Sequence, residues 1–346
     1  MFWPFLIGIP LSVFLASCHP DVSMMAASKE IPAIYGILDY SLDTNYVKIN
    51  KLITCEAPES HLAQQPGVAC FDDKLDVRLV EYVNGQRQRE LVLDTITRFD
   101  KQSGIFPYPQ QQLYYTAERL LPNASGRHVS YELVVTLDDE TIVSKTDMVG
   151  SSSFQVVSPH LNFSKQYFGT IRSMKFVPAD NATIYDVDIA FRYYERRLPS
   201  EDTTTTIFHI ISDQFTEEDL LNSMQDGNFC VHYRPEHFFM ALGEFLGDDT
   251  LNKNVLRYIT DYPLIVRIDA GGRGMMEYRY LQQLDGASNV PLDVSCVGHG
   301  AVGLFSSRSS IYTRGRLSGW TVPDLLGMNW GFRFIGGKEG ELCENY

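Results

Sequence analysis

The strongest constraint on this chain is one alternating run, Tyr185 to Tyr194. Tyr185, Val187, Ile189, Phe191 and Tyr193 fall on one side, and Asp186, Asp188, Ala190, Arg192 and Tyr194 on the other. A period of two with one wetter side is what a strand with a single buried face requires. Ile171 to Val177 is the expected hairpin partner. Thr205 to Ser212 reads as a further strand after a polar loop at 198–206.

The same pattern recurs in shorter pieces through the first half of the chain. Ile34 to Leu38 leads through a turn at Asp39–Asp43 into Tyr46 to Ile53. Val77 to Val83 reaches Asn84-Gly85 and returns through Glu90 to Thr95. Asn-Gly between apolar runs is a hairpin signal. Leu113 to Glu118 follows, then Val129 to Leu137, a turn at Asp138-Asp139-Glu140, and Thr141 to Met148. Residues 31–149 therefore predict a β-sandwich of immunoglobulin-like or fibronectin-like type. Gly150-Ser151-Ser152-Ser153 reads as a linker. A chain of 346 residues is long for one domain, so residues 154–346 form a second β-rich domain.

That second domain carries a short helical insertion around 216–247. Thr216 precedes Glu217-Glu218-Asp219 in the manner of a helix N-cap. Pro235 sits where a helix can start, and Gly247 where one can stop. Strands are expected again at Tyr262 to Ala270, Met275 to Leu281 and Gly303 to Tyr312. Trp320 to Phe334 closes the domain, with a short turn of helix after Pro323.

Phe2 to Ala16 is almost wholly apolar yet short for a bilayer span, which takes about 20 residues. It ends in Leu15-Ala16-Ser17-Cys18. Small residues before Cys18 form a lipobox: residues 1–18 read as a lipoprotein signal, with Cys18 acylated after cleavage. Residues 19–30 read as a flexible tether. This places the protein in the bacterial cell envelope, tethered to a membrane by lipid; the outer membrane is the expected one. In that oxidising compartment Cys55 and Cys70, which bracket a polar loop, form the candidate disulfide. Among Cys230, Cys296 and Cys343 any pairing stays open. No CxxC spacing occurs, which argues against a zinc or redox centre.

The net charge of −14 argues against nucleic acid, whose phosphates demand clustered Lys and Arg. The basic run Arg192–Arg197 is broken by Tyr193, Tyr194 and Glu195. No Gly-x-Ser-x-Gly turn is present. His232 and His237 are five apart with Pro235 between them, unlike the two ligands of a zinc-protease helix. Asp186 and Asp188 share a strand face and are the candidate acid pair for a hydrolase of glycan or peptide. Gly271-Gly272-Arg273-Gly274 lacks the Lys and Ser/Thr of a phosphate loop and reads as a turn between strands. No metal or cofactor is expected. Tyr-rich strands and the loop near Tyr233 suggest a partner-facing surface, with Tyr194, Tyr233 and Phe238 as its residues.

Five stretches together carry a resemblance. They are Pro32-Ala33-Ile34-Tyr35-Gly36-Ile37-Leu38, Tyr46-Val47-Lys48-Ile49-Asn50-Lys51, Ser103-Gly104-Ile105-Phe106, Leu113-Tyr114-Tyr115 and Gly303-Leu304-Phe305-Ser306-Ser307-Arg308. In their order the chain resembles a family of Bacteroidota envelope lipoproteins of unknown function, often encoded beside TonB-dependent outer-membrane receptors. The resemblance implies a β-rich envelope lipoprotein partnered with such a transporter, and it supplies no catalytic residues. The expected function is a non-enzymatic binding or accessory module. A carboxylate-dependent hydrolase and a surface adhesin or structural protein are the alternatives.

Overall fold

The computed structural model describes residues 31–51, 70–71, 73–101, 109–137, 140–277, 279, 297–298 and 300–335. The expected leader, Cys18, the tether, Cys55, Cys296 and Cys343 lie outside the described residues. The protein is mainly β, with several sheets and a few short helices.

The first region contains β1 (Pro32–Leu38), β2 (Asn45–Lys51), β3 (Asp76–Val83), β4 (Gln86–Val92), β5 (Asp94–Arg98), β6 (Gln111–Thr116), β7 (Val129–Leu137) and β8 (Glu140–Asp147). They pair in the orders β1-β2-β6-β5 and β4-β3-β7-β8. Lettered A, B, C, C′, D, E, F and G, these are the ABED and C′CFG sheets of an immunoglobulin-like sandwich. Alternation sends Val77 and Leu79 of β3 and Val129, Tyr131, Leu133 and Val135 of β7 inward. They meet Ile34, Leu38, Val47 and Ile49 of the other sheet in one core. Asn84 and Gly85 take φ of 50° and 76°, the left-handed pair that a tight hairpin needs. The Tyr131 hydroxyl accepts from the Leu121 amide at 2.9 Å, ten residues upstream. A tyrosine near the start of strand F bonded back to the preceding corner is a recurrent feature of this sandwich.

The second region contains β9 (Arg172–Phe176), β10 (Ile184–Arg197), β11 (Thr203–Thr216), β12 (Phe229–Tyr233), β13 (Val255–Ile259), β14 (Leu264–Gly271), β15 (Val302–Gly315) and β16 (Phe332–Phe334). Its helices are α1 (Glu217–Leu221), α2 (Pro235–Leu246) and α3 (Thr321–Leu326). Thr216 and Asp219 close a reciprocal capping box on α1, and Pro235 opens α2. The alternating run becomes β10 at the centre of its sheet, antiparallel to β11 on one side and to β14 and β13 on the other.

Three expectations are corrected. Ile171–Val177 is not the partner of β10: its strand β9 pairs with β12, and β10 turns back on β11 instead. The tight connection Leu198–Asp202 lets β11 start at Thr203, so the four threonines belong to the strand. Residues 273–277 are helical rather than extended, because the chain leaves β14 through Gly271 and Gly272 and coils at once. Cys70 and the buried Cys230 are free thiols, and the expected pair of Cys70 with Cys55 lies outside the described residues.

The two regions do not separate at 150–153. Ile31 onward forms one compact unit. One sheet runs β16-β13-β10-β14-β15-β1-β2-β6-β5, because β15 lies parallel to β1 from Ala33↔Val302 to Leu38↔Ser307. The cores do divide there: Met148 belongs to one and Val149 to the other. Gly150 and Ser151 are buried in the seam rather than exposed as a linker. The Asn123 side chain donates to the carbonyls of Met148 at 2.5 Å and Gly150 at 3.1 Å. The Ser307 hydroxyl accepts from Val149 N at 2.9 Å and donates to Asp147 O at 2.6 Å. Arg308 reaches buried Asp39 at 3.2 Å. Buried backbone groups need such partners, and here side chains supply them.

Candidate functional site

The site with the most convergent side chains is a groove of about 240 Å³ between β11, β12 and α2. Its apolar lining is Phe163, Phe208, Ile210, Ile211, Tyr233 and Phe238, and its rim is Asp213, His232, Arg234 and His237.

A β-bulge builds one wall. The β10–β11 register slips where Ile189 faces Ile211 and Ala190 faces His209, which leaves Ile210 as the extra residue. A bulge resets alternation. Ile210 and Ile211 both pack against the core, and Asp213 is carried to the groove side with them. On either side of the bulge, His209 and Gln214 turn to the opposite face and meet Asp188 at 2.6 Å and Asp186 at 2.8 Å.

The floor is a stack of rings. Phe163 lies 4.5 Å from Phe238 and 5.0 Å from Tyr233, and Phe238 is edge-on to Phe191 at 5.6 Å. The loop carrying Phe163 is pinned by its amide, which donates to buried Thr321 at 2.8 Å. The Tyr233 hydroxyl accepts from Asn162 N at 3.1 Å, and burial pushes this phenol above the ordinary tyrosine range. Tyr233 and Phe238, expected on the surface, are thus buried as the floor of the groove: β12 alternation and the apolar stripe of α2 both turn them inward. Tyr194 is half-buried on the far face of β10, under the Arg192 guanidinium at 5.8 Å. The three expected partner-surface residues therefore do not form one surface.

On the rim, Arg234 reaches Glu236 only at 3.8 Å, and both side chains keep contact with water. His232 Nδ1 shares a hydrogen bond of 2.8 Å with Ser173 Oγ, its cross-strand neighbour. Nucleophilic catalysis would want the base oriented in turn by a third group, and no carboxylate bonds His232 among the described residues. No group of three metal-ligating side chains occurs among the described residues either.

Asp186 and Asp188 do share the outer face of β10. Arg279 grips Asp186 with two bonds of 2.7 and 2.6 Å, and His209 holds Asp188. On the neighbouring strand Asp269 is held by Arg267 at 2.8 Å. The acids are spread over an ion-paired face and do not converge in the groove. The Arg192–Arg197 run is also tied down, with Arg197 bridging Glu195 and Asp249. Ser306, Ser307 and Ser309 are buried in β15, where small side chains admit the seam. Gly272 donates its amide to Ser307 O at 3.0 Å, so the glycine run serves close packing.

Sequence reasoning missed Phe163 and Phe208 as groove residues. Phe208 was legible as an inward position of β11. Phe163 sits in a loop with no period, and only the fold brings it to the ring stack. The fully buried Arg257 was missed too; it bonds Glu195 at 3.2 Å and Trp330 O at 2.5 Å, tying the last strand to β10. No protein-family model matches this sequence, and no curated protein matches it.

Proposed function

We propose that this protein is an exported, lipid-anchored binding module, held at the outer membrane through acylated Cys18 and acting as a non-enzymatic accessory to a TonB-dependent transporter. The observation that carries the binding half is the groove, whose apolar floor and few polar rim groups are the usual make-up of a recognition site. Its volume of about 240 Å³ is below the roughly 300–1,000 Å³ of small-molecule sites. It suits a few side chains of a partner better than a whole cofactor. The envelope half rests on the lipobox ending at Cys18 and on the family resemblance.

The test is purification of the full-length protein from its native membranes in mild detergent, with mass spectrometry of what accompanies it. Stoichiometric recovery of an outer-membrane receptor is expected. Recovery of the lipoprotein alone sinks the reading. Loss of membrane attachment in Cys18→Ala checks the anchor separately.

A further inference from the structure

β11 is fourteen residues long and pairs with β10 alone. Among the described residues no backbone group hydrogen-bonds to its other edge. A bare edge is a template for a further strand, and proteins blunt it with charge, proline or shortness. The other edges of the two larger sheets are blunted. β4 carries Arg87, Arg89 and Glu90, all in ion pairs, and β5 and β16 have only five and three residues. β8 carries Glu140, Lys145 and Asp147, and its Ser144 hydroxyl is bonded by Gly298 N at 3.1 Å. β11 differs: from Thr203 to Ser212 it holds no Asp, Glu, Lys, Arg or Pro, and eight of those ten residues are threonine, isoleucine or phenylalanine.

Beside this edge lies the groove, and α2 forms its far wall through His237, Phe238 and Ala241. Phe245 of α2 is 52% exposed beside it. Phe245 stacks on Phe208 of β11 at 5.2 Å. The rim carries Arg234, whose side chain is 47% exposed and lies 3.8 Å from Glu236, together with His232, His237 and Asp213.

We propose that the edge of β11 and the groove beside α2 take up an extended segment of a protein partner, apolar at alternate positions and bearing a carboxylate that meets Arg234. This deepens the binding-module reading and rests on it. Strand addition supplies affinity through main-chain hydrogen bonds, and pockets that receive every second side chain supply specificity. The groove volume fits such side chains. Arg234, held only loosely by Glu236 at 3.8 Å, gives one carboxylate of the segment a charge-complementary contact.

The probe is a short fluorescent peptide of alternating Val and Thr ending in Glu, titrated against the full chain by anisotropy. Saturable binding is expected, with exchange protection of the β11 amides. A proline at the peptide's centre abolishes it, and Arg234→Glu weakens it about tenfold, the equivalent of about 1.4 kcal/mol. Ala241→Trp, an exposed helix position, fills the groove and blocks it, while Val92→Trp on the β4 edge leaves it unchanged. Thermal unfolding of each variant checks that it folds. No binding, binding indifferent to Arg234→Glu and Ala241→Trp, or self-pairing of the chain through β11 would each overturn the proposal. Repeating the native-membrane purification with Ala241→Trp separates the two readings. A transporter retained by that variant removes the groove and keeps the binding module; a transporter absent even from the wild type removes the module itself.

Discussion

The two regions treat their open edges in opposite ways, though each buries an ion pair. The first encloses a charge in its sandwich. Glu81 is buried, takes two bonds of 3.0 Å from Arg89, and accepts the Tyr131 hydroxyl at 2.5 Å. That phenol, also bonded at its corner, is pushed far above the ordinary tyrosine range by burial first and by Glu81 second. The second region is built on stacked rings and leaves its longest edge strand nearly free of charge. A closed network fixes one geometry. An aromatic groove beside a bare edge keeps surface to offer. Under the proposed function the sandwich supports and the second region recognises.

The sharpest break of this comparison is at their junction. Gly303 has φ of 124°, and a Cβ there would overlap the Ile34 carbonyl across the β1–β15 pairing. Gly303→Ala should undo pairing that spans six register pairs, a loss of roughly 3–9 kcal/mol if each pair brings one hydrogen bond of about 0.5–1.5 kcal/mol. Calorimetry should then resolve two unfolding transitions in place of one. A single unshifted transition would mean that the seam, not the strand pair, joins the regions.

Phe238→Ala opens a cavity in the second core and should cost roughly 3–5 kcal/mol. In the Gly303→Ala background only the second transition should move, as read by denaturant titration. Glu81→Ala is its counterpart in the first region. Removing one partner of a buried pair costs roughly 3–5 kcal/mol, toward the lower end here because Arg89 keeps 33% of its side chain exposed. If the first transition does not move, the network is not what fixes the sandwich.

Acid should act on both regions more gently. Arg78 beside Asp76, Lys74 beside Asp94, Thr216 beside Asp219 and Arg197 beside Asp249 hold these carboxyls below the usual range. A carboxyl depressed in the fold stabilises above its unfolded value, about 3.9, and that contribution fades as pH falls through the folded value. Stability should be flat from neutral pH to about 5 and decline below about 4; a midpoint that stays constant down to pH 3 contradicts this. All four groups are solvated, so the decline should be shallow. The smallest effect belongs to Asp186→Asn, which breaks an exposed pair with Arg279 worth about 0–1 kcal/mol. Any glycan- or peptide-cleaving activity that this variant abolishes would reinstate the hydrolase.

Much of the fold was legible because its strands are locally consistent. β7 spans Val129–Leu137 as the alternation indicates, and Asn84-Gly85 makes the turn its chemistry demands. Pairing was less legible: Ile171–Val177 has the pattern of a partner for β10, but periodicity does not say which edge a strand joins. The site was legible in part. Tyr233 and Phe238 were singled out for their rings, yet their burial depends on which way β12 and α2 face.

The sequence by itself determined that this chain is β-rich and where most strands lie. These are properties of neighbouring side chains, set by sterics and alternation within a few residues. The tertiary structure decided that the boundary between the two cores falls at Met148 and Val149, that one sheet crosses that boundary, that a bulge at Ile210 turns Asp213 to the groove side, and that Phe163 meets Phe238. Each depends on groups far apart in the chain, whose meeting is fixed by packing and register rather than by any local preference.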